Sequence, residues 1–223
     1  MSLILNIDTA LDTASVCLAE DGKLLRLSFS EDQKDHASWL HTEIADLLEK
    51  SGHSLKEMNA VAVSVGPGSY TGLRVGLAAA KGFCYALHIP LITINSLTII
   101  AFAVNDEAVD IICPLIDARR MEVFTAMYDK DLREIVSPHA MVVNEKSFAS
   151  FLLSGKVLFC GNGVKKLQPL ISNSNALFSS TMADASHLAR LSFNSYKNKE
   201  FADLAYTEPL YIKEFYSPTA GTD

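Results

Sequence analysis

Apolar positions recur along this chain with two periods, and the switches between them mark its elements. Leu3–Asp8 reads as a strand, Ser15–Ala19 as a second and Leu24–Ser30 as a third, with Asp21-Gly22 as a hairpin signal. From His36 to Lys50 the apolar residues Ala37, Leu40, Ile44, Leu47 and Leu48 form a helical stripe, which Gly52 stops. Ala60–Val65 is an apolar strand and Thr71–His88 a long apolar helix. Leu91–Ile94 is a strand after Pro90, and Ser96 caps a further helix to about Val104.

The second half opens in the same way. Asp110–Asp117 is a strand, Ala118-Arg119-Arg120 a polar turn and Met121–Tyr128 a returning strand. Asp129-Lys130-Asp131 turns again into Leu132–Val136. A helix follows over Glu145–Leu153, then the strand Val157–Cys160, the turn Gly161-Asn162-Gly163 and a last helix over Asp184–Tyr196. The polar tail Ser217–Asp223 is expected to lack order. Both halves read as hairpin, third strand, helix, strand, glycine turn, helix. That is an approximate internal repeat, with lobes expected over 1–104 and 105–223. Antiparallel strands before αβ units make each lobe a mixed sheet covered by helices, an α/β class.

At 223 residues with 49% apolar residues the chain can bury a sizeable core. Its net charge of −7 argues against a free-standing nucleic-acid binder, though not against membership of a complex whose other subunit holds RNA. Cys17, Cys84, Cys113 and Cys160 lie far apart in apolar segments, the pattern of buried, reduced thiols in a cytoplasmic protein. No signal peptide is read in Met1–Asp8. The longest apolar stretch, Ile94 to Val104, falls short of a membrane span of about 20 residues. A soluble protein without a membrane partner is expected.

Candidate chemistry centres on the turn between Ala60–Val65 and Thr71–His88. Gly66, Gly68 and Ser69 there could aim backbone N–H groups at an anion. Walker A needs a Gly-Lys pair that is missing, and for a dinucleotide fingerprint Gly72 comes one place late. An anion site and a tight turn that packs the helix on its sheet stay equally open. In the helix itself Gly72, Gly76 and Ala80 fall at i, i+4 and i+8, a nearly bare face that invites another helix to approach. Arg74, Lys81 and His88 form a thin polar seam. Trp39 stands off its helix's apolar stripe, beside His36 and Glu43, and suits either an interface anchor or a ring closing its own lobe.

No complete catalytic set can be assembled. Asp8-Thr9 and Asp12-Thr13 flank the first hairpin turn, where carboxylates could hold Mg²⁺ near a phosphate but turn chemistry explains them as well. His36 and His41 are about 140° apart around a helix and cannot clamp one metal. No G-x-S-x-G elbow exists, so a hydrolase would lack its nucleophile. Asp117, Arg119 and Arg120 cluster at a strand end, where an Arg pair could hold phosphate, against a solvated turn with a local Asp–Arg pair.

The run from Gly66 to Gly82, GPGSYTGLRVGLAAAKG, resembles the signature of the bacterial TsaB (YeaZ) family. Ile4–Ala10, Pro114–Arg120 with Glu122–Phe124, and Glu208–Ile212 are similar to that family too, so the resemblance spans nearly the whole chain. It implies a two-lobed fold of the actin/Hsp70/sugar-kinase (ASKHA) type and a role in making N6-threonylcarbamoyladenosine on tRNA. It further implies a non-catalytic subunit that pairs with the metal-holding paralogue TsaD through N-lobe helices, with the ATPase TsaE joining and homodimers forming alone. Contact with tRNA would come only through the complex. Carried onto this sequence, the partner face would comprise His36, Trp39, Leu40, Glu43, Gly72, Arg74, Gly76, Ala80 and Lys81. Asp8, Thr9, Gly66, Gly68, Ser69, Asp117, Arg119 and Arg120 would be the nucleotide or phosphate contacts. No cofactor of the chain's own is implied, ATP or ADP and Mg entering with the complex. Asp8-Thr9-Ala10 departs from the Asp-x-Gly-Thr of nucleotide-binding relatives, which counts against the alternative of a free-standing ATPase or kinase.

Overall fold

The computed structural model describes residues 1–30, 36–107 and 110–213, and the backbone alone of His36 and Ala37. Among the described residues, ten strands form two five-stranded sheets. The first contains β1 (Leu3–Asp8), β2 (Ser15–Glu20), β3 (Lys23–Phe29), β4 (Ala60–Ser64) and β5 (Leu91–Ile94), in the spatial order β3-β2-β1-β4-β5. The second contains β6 (Ile111–Asp117), β7 (Glu122–Asp129), β8 (Glu134–Val142), β9 (Val157–Cys160) and β10 (Ala176–Phe178), in the order β10-β9-β6-β7-β8. In both, three antiparallel strands precede two parallel ones, so the repeat seen in the sequence is also a repeat of topology.

The described helices cover the sheets: α1 (His36–Ser51), α2 (Tyr70–Leu87), α3 (Ser96–Ala103), α4 (Ala149–Ser154), α5 (Val164–Leu167) and α6 (Ala185–Asn198). The central strand β1 is buried along its whole length because both of its faces are covered. Leu3, Leu5 and Ile7 join Val61 and Val63 of β4 under α1 and α2. Ile4, Ala60 and Ala62 pack on the other side against Leu188 of α6. Ser192 of α6 donates to the buried Asn6 Oδ1 at 2.6 Å, which satisfies a polar side chain inside that layer.

The last helix therefore packs on the first sheet. In exchange, Leu97, Ile100 and Ala101 of α3 pack on Ile112, Ile116 and Tyr128 of the second. The layers run α1/α2, first sheet, α6 with α3, second sheet, α4 with α5. The residues after α6 return to the first sheet as well: Ala202 N donates to Leu91 O at 2.9 Å and Leu210 N to Val65 O at 2.7 Å.

Local chemistry explains where the elements differ from the sequence reading. Asn95, not Ser96, caps α3, its side chain accepting from Leu97 N at 2.8 Å. Ser96 Oγ instead accepts from Gly66 N at 3.1 Å. The helix expected from Glu145 begins only at Ala149, because Asn144 and Ser147 close a side-chain turn first. β8 runs on through Pro138 to Val142, which an edge strand allows because it has an unpaired side. β10, only three residues long, has no counterpart in the sequence pattern, and Ser217–Asp223 lies outside the described residues.

Candidate functional site

Three groups of candidate residues meet around the start of α2. Ser69 caps this helix, its hydroxyl accepting from Gly72 N at 3.3 Å. The turn before it is held on two sides: Ser69 N donates to Ala10 O at 2.7 Å, and Ser96 N to Gly66 O at 2.9 Å. Gly66 is left-handed at φ 110°, a conformation that excludes most side chains, and the Gly66–Pro67 peptide is cis. This geometry lays the turn and the first turns of α2 directly over Thr9 and Ala10. A Cβ on Gly68 would lie 2.2 Å from Ala10 O, and one on Gly72 2.1 Å from Thr9 O.

The bare face of α2 thus looks inward. Gly76 is buried, with a Cβ position 2.2 Å from Thr9 Oγ1, and that hydroxyl donates to Gly72 O at 2.7 Å. Ala80 and Leu40 lie in the core under the first sheet. Gly72, Gly76, Ala80 and Leu40 are therefore not surface for a partner, because they close α1 and α2 onto their own strands. Trp39 is half-buried against the same core, the lobe-closing alternative, and Glu43 accepts from Ser28 Oγ of β3. Arg74 and Lys81 are occupied by the segment after α6. Arg74 lies 3.9 Å over the Tyr70 ring and donates to Tyr211 OH at 2.9 Å, while Lys81 Nζ donates to Ala205 O and Thr207 O at 3.2 and 2.9 Å. The side chain of His36 lies outside the described residues.

A second stripe with the same spacing faces solvent. Ala78, Gly82 and Ala86 are exposed, and nothing lies within 4 Å of a Cβ built on Gly82. Tyr85 beside them is 75% exposed. α1 adds His41 and Ala45, with the His41 ring 5.9 Å from that of Phe83 on α2. The sequence carried a signal for this choice: Ala78 and Gly82 adjoin the polar seam of Arg74 and Lys81, which marks the outward side.

The strand-end carboxylates stay within their own lobes. Asp8 is buried, and its Oδ1 accepts from Ser64 Oγ at 2.6 Å and Ala10 N at 3.1 Å. Burial pushes its carboxyl above the ordinary value against those two bonds, and Asp184 nearby adds to the rise. Sequence reasoning missed Asp184, the cap of α6, since 176 places separate it from Asp8. In the second lobe Asp117 Oδ1 accepts from Lys166 Nζ at 2.6 Å and Arg119 N at 2.7 Å. Burial opposes its ionisation, but these bonds hold its carboxyl below the usual range. The partner of Asp117 is thus a lysine rather than the adjacent arginines. Arg119 and Arg120 are exposed and both left-handed, at φ 68° and 47°, which costs roughly 1 kcal/mol or more for each non-glycine residue.

For a nucleotide phosphate the fit at Asp8 is poor. The space over Thr9 and Ala10 holds the backbone of the Gly66–Thr71 turn, and Asp8 Oδ1 is already engaged. Among the described residues no three His, Cys, Asp or Glu side chains converge as a metal would need, and no helix is long and apolar enough to cross a membrane. All four cysteines are buried and free, and burial pushes the thiols up, to about 11 for Cys84 and about 12 for Cys113.

Known proteins fit this geometry. Residues 30–207 match the family described as TsaD: tRNA N6-adenosine threonylcarbamoyltransferase. The tRNA threonylcarbamoyladenosine biosynthesis protein TsaB of Escherichia coli (strain K12) is 36% identical over 129 residues, 57% of this chain and 55% of that protein. In that match the chain spans about half the length of its relative. The protein of the same name from Buchnera aphidicola is 28% identical over 222 residues, 96% of this chain and 99% of that one. The solved structure of YeaZ from Pseudomonas aeruginosa superposes with a TM-score of 0.82 at 26% identity, covering 95% of this chain and 100% of that one.

Proposed function

This chain belongs to the TsaD family, in its TsaB (YeaZ) branch, and we propose that it is the non-catalytic dimerisation and activation subunit of a tRNA N6-adenosine threonylcarbamoyltransferase. It pairs with a TsaD-like catalytic paralogue, a TsaE-like ATPase joins the pair, and tRNA is engaged only through the assembly. Without its partner the chain forms homodimers through the same surface. ATP or ADP with Mg belongs to the assembly, since the turn at Gly66 packs on Ala10 where a phosphate would need room.

The observation that carries this reading is the outward face of α2. Ala78, Gly82 and Ala86 present almost bare backbone, Tyr85 stands beside them as a rigid aromatic anchor, and α1 widens the platform with His41 and Ala45. Two helices of this shape can receive a helix from a partner at close range. A buried tyrosine at such an interface is a frequent hot spot.

The test is Gly82→Arg and Tyr85→Ala, with pairing to the TsaD-like paralogue measured by calorimetry and threonylcarbamoylation of tRNA assayed in the reconstituted system. Gly82→Arg is expected to weaken pairing about a hundredfold and Tyr85→Ala about tenfold, with a melting temperature unchanged in Tyr85→Ala and not lowered in Gly82→Arg. Full-strength pairing by folded Gly82→Arg would sink the assignment of this face. A transferase fully active without the chain would sink the subunit reading itself.

A further inference from the structure

The segment after α6 touches both lobes. Ala202 N bonds Leu91 O and so extends the edge of the first sheet. Asp203 then folds the chain: its carboxylate accepts from Ala205 N and Tyr206 N, and its carbonyl from Thr207 N. Lys81 of α2 holds the carbonyls of Ala205 and Thr207. Leu210 N bonds Val65 O at the end of β4, and Leu210 O lies so near Gly66 that a Cβ there would be 2.9 Å away. The Tyr211 ring packs 5.4 Å from that of Tyr70. Two residues on, Lys213 forms an ion pair with Glu122, the first residue of β7 in the second sheet.

From these contacts we infer that residues 202–213 are a clasp that sets how far the two lobes open. The chain passes between the lobes from α3 to β6 and from β10 to α6, and α3 and α6 lie in the shared helical layer between the sheets. Such connections act as a hinge. The clasp crosses elsewhere, from Val65 at the end of β4 to Glu122 at the start of β7. Its two ends differ in strength. On the first lobe it has backbone bonds, a lysine holding two carbonyls and a stacked tyrosine. On the second it has, among the described residues, one ion pair whose partners are 51% and 18% exposed. A pair that open to water is weak and screened by salt. The clasp therefore stays on the first lobe and releases the second.

The inference is independent of which partner α2 receives. It is tested on the full chain with Lys213→Glu, Glu122→Lys and the double reversal. Spin labels at Lys56→Cys and Lys130→Cys, one exposed position on each lobe, report the distance between them, and the four buried native thiols are not labelled. Each single reversal is expected to broaden the distance distribution, while exchange of the Leu210 amide, bonded to the first lobe, stays unchanged. The double reversal restores the distribution, and amides of α6 stay unchanged throughout. Tyr211→Ala gives a second route to the open state. Distances unmoved by either single reversal would overturn the clasp, as would a double reversal that fails to restore them. Faster Leu210 exchange at an unchanged distance would make the segment a covering of the first lobe alone, and also overturns it.

Discussion

Glycine has opposite meanings on the two sides of one helix. At Gly72 an added methyl would stand 2.1 Å from a backbone carbonyl that cannot rotate away, so Gly72→Ala must push α2 off β1. Overpacking of that kind costs about 3 kcal/mol, a fall of roughly 6–12 °C in melting temperature for a chain of this size. At Gly82 the methyl meets nothing, and alanine relieves the entropic cost of a mid-helix glycine. Gly82→Ala should gain about 0.5–1 kcal/mol. Thermal melts of the pair check this, and equal shifts would show that α2 is turned otherwise. Asp8 makes a prediction of the same grain. A carboxyl whose native pKa stands above its unfolded 3.8 holds its proton more tightly when folded. Its ionisation therefore opposes folding, and stability is lost as pH rises from 3.8 through the raised native value. Asp8→Asn keeps the acceptor for Ser64 and Ala10 and removes the buried charge beside Asp184. The variant should be more stable than the parent at pH 7, with the gap closing towards pH 4. A variant less stable at pH 7 would mean that the charge is held by a partner yet to be found.

Among the elements, those fixed by local periodicity were legible in the chain and those fixed by distant contacts were not. Leu3–Asp8, Leu91–Ile94 and Val157–Cys160 are bounded in the sequence as they are in the fold, because each is a short apolar run, fully buried in the first and last and half-buried at Thr93 and Ile94 in the second. The segment 202–213 has no such pattern. Its order comes from Lys81, Arg74 and Val65, residues more than a hundred places earlier, so nothing in its own neighbourhood announces it. The candidate site divides in the same way. The family resemblance pointed to α1 and α2, but two small-residue stripes share α2, and only the polar seam of Arg74 and Lys81 signals which faces outward. The answer depends on the Gly66 turn, which rotates Gly72 and Gly76 onto Thr9 and leaves Ala78, Gly82 and Ala86 outside. Asp184 beside Asp8 belongs to the same class, since only the return of α6 to the first sheet brings it there.

At the scale of the molecule, the exchange of α3 and α6 between the sheets ties folding of the two halves together. Residues 1–104 hold all five strands of the first sheet but lack the helix that covers one of its faces. Without α6, the apolar face of Ile4, Ala60, Ala62 and Ile92 would meet water, and Asn6 would lose its bond from Ser192. Cys17 and Ala19 on β2 would likewise lose Ala185 and Ala189. α3 would be left with its apolar residues Leu97, Ile100 and Ala101 facing no second sheet. Exposed apolar patches of this size promote association rather than a folded monomer. A fragment of residues 1–104 should therefore aggregate or melt without cooperativity, although it contains a complete sheet. Adding a peptide of residues 181–213, which carries α6 and the clasp, should restore a cooperative transition and dispersed amide resonances. A fragment that melts cooperatively by itself, unchanged by the peptide, would show that the first lobe is a self-sufficient domain and that the exchanged helix is dispensable to it.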